Sequence, residues 1–119
     1  MKEMKMGVIE SRFADLIWQR EPIATSELIK IGEKEFCWKR TTTYTVLKRL
    51  SERGIFQNIN GTVISLISRK EFYSLQSEKF VEETFQGSLP AFLAAFTERK
   101  KLTAQEVEEI RRMIDSYEK

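Results

Sequence analysis

The sequence predicts a mainly α-helical protein with one small β-hairpin, arranged as two functional regions, residues 1–70 and 71–119. Three observations carry this. Apolar residues recur at helical spacing on both sides of residue 60, Asn60-Gly61 stands between two short apolar runs, and no Pro/Ser-rich linker or repeat separates the halves.

Taken in order, Val8, Ile9, Phe13, Leu16 and Ile17 form the stripe of a first amphipathic helix, with Gly7 as a modest N-cap and Pro22 beyond its last turn. A second, short helix is expected over about 26–31, with Leu28, Ile29 and Ile31 apolar and Gly32 as its stop. The third runs from Thr41 to Arg53. It places Thr43, Val46, Leu47 and Leu50 on one face, and Gly54 is positioned to end it. The runs 55–59 and 62–67 then pair through the Asn60-Gly61 turn, whose residue types suit positive dihedrals.

Beyond the hairpin, 70–85 reads as a helix carrying Phe72, Tyr73, Leu75, Phe80, Val81 and Phe85, and Gly87 interrupts it. Residues 89–96 form a shorter apolar helix with Pro90 in its first turn, where the missing N–H does no harm. Thr103 and Glu106 make a capping box for the last helix. That helix shows a narrow seam of Val107, Ile110, Met113, Ile114 and Tyr117 between charged flanks, the pattern of a helix that seeks a partner, with its own core as the alternative.

Composition removes several classes. A chain of 119 residues holds one core or two small subdomains. No run approaches the roughly 18 apolar residues of a spanning helix, so no membrane insertion is expected. Glu3, Glu10 and Asp15 break any signal-peptide core, which points to a cytoplasmic protein. One cysteine and no histidine exclude an internal disulfide and the usual zinc and imidazole chemistries, so neither a metal, a cofactor nor an enzyme activity is expected. Cys37 reads as a half-buried small side chain beside Trp38, with a redox thiol as the alternative. Net charge is only +2, but residues 1–70 carry 13 basic and 8 acidic side chains, net +5, and residues 71–119 carry 7 and 10, net −3. The polyanion-binding half is the first.

Three helices followed by a hairpin is the element order of a winged helix-turn-helix, in which the third helix enters the DNA major groove. The residues suit that role. Lys39, Arg40, Lys48 and Arg49 can neutralise phosphates, the hydroxyls of Thr41, Thr42 and Thr45 can bond phosphates or base edges, Tyr44 adds an amphipathic contact, and Asn60 tips the wing. A β-branched, acid-free face is a poor choice on helix propensity alone. The competing reading is a solvated face on an ordinary bundle.

These segments together resemble the penicillinase and methicillin-resistance repressor family, to which copper-transport repressors are related. The resemblance runs through Leu16-Ile17-Trp18, Pro22 with Ser26-Glu27-Leu28-Ile29, Trp38-Lys39 with Thr42, Thr45, Arg49-Leu50 and Gly54. It continues in Phe85-Gln86-Gly87-Ser88-Leu89 and in Leu102-Thr103 with Glu106-Val107-Glu108-Glu109-Ile110. It implies a homodimer on double-stranded operator DNA with a dyad, in which Thr42, Thr45 and Arg49 face DNA and Leu102, Val107, Ile110 and Ile114 form the dimer seam. It also implies control of β-lactam resistance genes and inactivation by proteolysis through a membrane sensor-protease pathway, at a place corresponding to Ala95-Phe96, where Ala95 replaces the family's asparagine.

The sequence departs from the family at the wing, where Asn60-Gly61-Thr62 stands for a Gly-Arg pair in a shorter hairpin. It departs again at Arg40, Thr41 and Tyr44, where members carry a proline, a basic residue and an arginine. Asp115 to Lys119 contain no cysteine, so copper sensing is not expected. Two rival functions stay open: a winged-helix protein-interaction adaptor, and a small-molecule-responsive repressor, released without cleavage, with Phe72, Tyr73, Phe80, Phe85, Phe92 and Phe96 lining an effector pocket.

Overall fold

The computed structural model describes residues 6–117. Six helices and three short strands follow one another as α1 (Val8–Arg20), β1 (Ile23–Ala24), α2 (Thr25–Phe36), α3 (Arg40–Glu52), β2 (Phe56–Ile59), β3 (Thr62–Ser65), α4 (Arg69–Phe85), α5 (Leu89–Arg99) and α6 (Ala104–Tyr117). Contacts divide the chain into two bodies, one reaching to Ser77 and one starting at Glu78, so the division falls inside α4.

The first body is a winged helix-turn-helix. Its core joins Phe13 and Ile17 of α1, Leu28 of α2, Leu47 and Leu50 of α3, Phe56 and Val63 of the sheet, and Phe72 from the first turn of α4. The third-helix stripe read from the sequence, Thr43, Val46, Leu47 and Leu50, is the buried face of α3. The hairpin turn is also as expected. Asn60 and Gly61 both take positive φ, 51° and 87°, and Ile59 pairs with Thr62 across the two-residue turn.

The sheet has a third strand that periodicity could not reveal, because it is two residues long. Ile23 pairs with Val63 and Ala24 with Thr62, giving the order β1-β3-β2. Glu21 fixes the far end of β3, its carboxylate accepting from the Ser65 amide at 2.7 Å and hydroxyl at 2.9 Å. Trp18 donates its indole N–H to the Ile67 carbonyl at 3.0 Å and packs against Phe56, Phe72 and Tyr73, which anchors the entry to α4.

Two expectations are corrected. Gly32 does not stop α2; it is buried inside a helix that continues to Phe36. The reason is a close approach: Thr43 of α3 lies against the Gly32 Cα, and a Cβ there would run into the Thr43 Oγ1. Cys37 is exposed rather than half-buried, because α2 ends on it in a left-handed conformation, φ 55°. Trp38 packs instead on Phe13 and Phe36, with ring centroids 5.1 and 4.8 Å away.

The second body holds the last turns of α4 with α5 and α6. Gln86 and Gly87 turn the chain with φ of 52° and 81°, and Ser88 caps α5 by accepting from the Ala91 amide. The capping box of α6 forms as read. The Glu106 amide donates to the Thr103 hydroxyl at 3.0 Å, and the Thr103 amide donates to the Glu106 carboxylate at 2.9 Å. Phe80, Phe85, Phe92 and Phe96 form a chain of ring contacts at 5.6–6.1 Å. Neither α5 nor α6 contains a buried residue among those described. Among the described residues no helix is long and apolar enough to cross a membrane.

Candidate nucleic-acid interface

With its apolar side committed to the core, α3 turns Arg40, Thr41, Tyr44, Thr45, Lys48 and Arg49 outward, all exposed, with Thr42 half-buried beside them. Lys39 occupies the N-cap, and no acidic residue stands in the first turn. Helix N-termini carry a partial positive charge, so a basic, acid-free first turn leaves the end of α3 suited to phosphate. The Arg40 guanidinium lies 5.8 Å from the Tyr44 ring, a loose cation–π contact that extends both side chains over the surface. Thr45 donates its hydroxyl back to the Thr41 carbonyl at 2.8 Å, leaving its methyl and its oxygen lone pairs for an outside partner.

Arg49 is different from the rest of the face. Its Nη1 donates to Glu10 Oε2 of α1 at 2.8 Å while the side chain remains 48% exposed, and Arg53 comes within 3.9 Å of the same carboxylate. Partial burial pushes the Glu10 carboxyl up. The Gly7 amide, Arg49 and Arg53 outweigh it and hold the group below its ordinary 4.5, so it is ionised at neutral pH.

Beside α3 the strand β2 adds polar groups. An open cleft of about 520 Å³ lies between them, lined by Tyr44, Leu47, Lys48 and Ser51 on one side and by Phe56, Gln57, Asn58 and Leu66 on the other. Asn60 is exposed at the tip of the turn, and Asn58 Oδ1 accepts from the Gly61 amide at 3.0 Å, which stiffens that tip. Glu10, Gln57 and Asn58 were not among the residues singled out from the sequence. The strand alternation flags Gln57 only weakly, and local spacing marks Glu10 only as the N3 partner of the Gly7 cap, not as the partner of Arg49, which is 39 residues away.

In the second body the expected seam residues divide by depth. Leu102, Val107 and Ile110 are half-buried, whereas Met113, Ile114 and Tyr117 are 69%, 52% and 92% exposed. Flanking pairs from Glu108 to Arg111 and Arg112 at about 4 Å are solvent-exposed and contribute little. Ala95 and Phe96 are exposed within α5. The six aromatics considered as a pocket lining fall into two sets, Phe72 and Tyr73 in the first body and the other four in the second. Among the described residues no group of His, Cys, Asp and Glu side chains could hold a metal ion.

The chain is similar to the methicillin resistance regulatory protein MecI of Staphylococcus aureus, 21% identical over 118 residues that cover 96% of each chain. It is also similar to the penicillinase repressor of Bacillus licheniformis, 26% identical over 106 residues that cover 86% of this chain and 83% of the relative. MecI of Mammaliicoccus sciuri is 20% identical over 118 residues, again 96% of each chain. The penicillinase repressor family model matches residues 6–116, and the chain therefore belongs to that family, whose members are transcriptional repressors and not enzymes.

Proposed function

We propose that two copies of this chain bind a dyad operator as a homodimer and repress β-lactam resistance genes in the cytoplasm, with residues 1–70 reading DNA and 71–119 joining the protomers. The observation that carries this reading is the outward face of α3, from Arg40 to Arg49, which is basic and hydroxyl-rich and contains no acid. In the docking geometry of a helix-turn-helix, that face enters the major groove. Thr42, Tyr44 and Thr45 then stand nearest the base edges, while Lys39, Arg40, Thr41, Lys48, Arg49 and the wing-tip Asn60 serve the backbone. One domain's contacts discriminate modestly, so a second half-site is what makes the operator distinguishable from competing DNA. The seam of Leu102, Val107, Ile110, Met113, Ile114 and Tyr117 supports the pairing: Met113, Ile114 and Tyr117 expose apolar surface on α6 that a second protomer would cover.

The test is an anisotropy titration of the protein with its own upstream DNA, with competitor present. Operator binding weakens steeply with salt, since each neutralised phosphate releases counterions. Absence of any duplex preference overturns it and favours the adaptor reading, in which α3 meets a protein.

Release is proposed to follow cutting between Ala95 and Phe96 through a membrane sensor-protease pathway. Both residues are exposed, and α5 contains no buried side chain to resist the local unwinding that a protease requires. The cut would separate α6 from the DNA-reading half and so remove the bivalent attachment. Mass spectrometry after a β-lactam challenge is expected to find fragments ending at Ala95 and starting at Phe96. Loss of repression with the chain intact would instead mark a small-molecule effector.

A further inference from the structure

Glu10 has no part in the contacts assigned so far. It stands in the first turn of α1, recessed, its side chain 16% exposed against 48% for Arg49. Its Oε1 accepts from the Gly7 amide at 3.3 Å and lies 3.9 Å from Arg53 Nη1, while its Oε2 holds Arg49 Nη1 at 2.8 Å. The carboxylate is thus fixed on its own helix before it meets α3.

A half-exposed ion pair of this kind adds little to stability. What it supplies is geometry. Arginine is long and flexible, but its guanidinium is a rigid planar fork with five donors, so anchoring one nitrogen orients the others. We infer that Glu10 is a positioning residue of the DNA interface, holding Arg49 from behind so that the remaining N–H groups of its guanidinium are pre-ordered for a backbone phosphate. This rests on the operator-binding reading above.

Two effects oppose each other. The negative charge of Glu10 lowers the local positive potential, and the pre-ordering removes entropy that phosphate binding would otherwise have to overcome. The relative exposures decide for ordering, because an approaching phosphate meets the exposed guanidinium and not the recessed carboxylate.

The experiment is an operator titration over a salt series with the full-length wild type, Glu10→Ala, Glu10→Gln, Arg49→Ala and the double variant Glu10→Ala/Arg49→Ala. Glu10→Ala is expected to weaken binding roughly threefold to tenfold, and Glu10→Gln, which keeps an acceptor for Arg49, to stay within about twofold of wild type. The salt slope should fall by about one for Arg49→Ala, which removes a cation, and stay near the wild-type value for Glu10→Ala, which keeps it, and the double variant should bind no more weakly than Arg49→Ala. Equal or tighter binding by Glu10→Ala, or a further loss in the Arg49→Ala background, overturns the positioning role and leaves operator binding standing. A wild type without salt-sensitive duplex binding overturns both. Relaxation of the Arg49 side-chain Nε–H in the free wild-type protein tests the same point without any variant: an ordered guanidinium supports the inference and a freely rotating one contradicts it.

Discussion

Thr43 and Gly32 show how one pair of residues sets the presentation of α3. Thr43 sits on the buried face of α3 with its hydroxyl unpartnered, and it presses on the Cα of Gly32 in α2. The absence of a side chain at residue 32 lets the two helices come this close. Gly32→Ala is therefore expected to destabilise the protein by about 1–3 kcal/mol through overpacking, although alanine is the better helix former. The cost should shrink in a Thr43→Ala background, because the two residues share the contact. Urea unfolding of the single and double variants checks this, and additive effects would contradict it. The same pair explains a misreading: glycine near an expected helix end is a common stop signal, but only the tertiary contact reveals that residue 32 is a packing glycine.

Among the elements, legibility followed the strength of the local pattern. The core stripe of α3, the Asn60-Gly61 turn and the Thr103–Glu106 capping box rest on residue types at fixed short spacings, and all three are in the structure as read. By contrast, β1 is two residues long and exists because β3 is beside it, so no periodicity could announce it. Likewise α2 runs past Gly32 to Phe36 and ends on Cys37, after which Trp38 packs on Phe13 and Phe36, contacts no local pattern announces. The outward face of α3 could be read from the sequence for a simple reason: once the apolar stripe is known, helical periodicity assigns every other position to solvent. Contacts between elements distant in sequence were not legible, and the pairing of Glu10 with Arg49 is the clearest case.

At the scale of the whole molecule, the two bodies divide at Ser77 and Glu78 rather than at residue 70, and the net charge still changes sign between them, with 13 basic and 9 acidic residues in 1–77 and 7 and 9 in 78–119. The basic, acid-free face lies on the first body, and the second combines an acidic balance with apolar residues that no part of the described chain buries. A chain that leaves Met113, Ile114 and Tyr117 exposed on its last helix is incomplete as a monomer in this reading, and the dimer supplies both the missing contact and the second half-site. The central claim is best tested by sedimentation velocity of the wild type and of Ile110→Asp, each alone and with a duplex carrying the dyad. The account predicts a wild-type dimer that loads as two chains per duplex, and a folded, monomeric Ile110→Asp with little residual binding, since a charge cannot be buried unpaired in an apolar seam. A wild type that loads as one chain per duplex, or an Ile110→Asp variant that still sediments as a dimer, would contradict it.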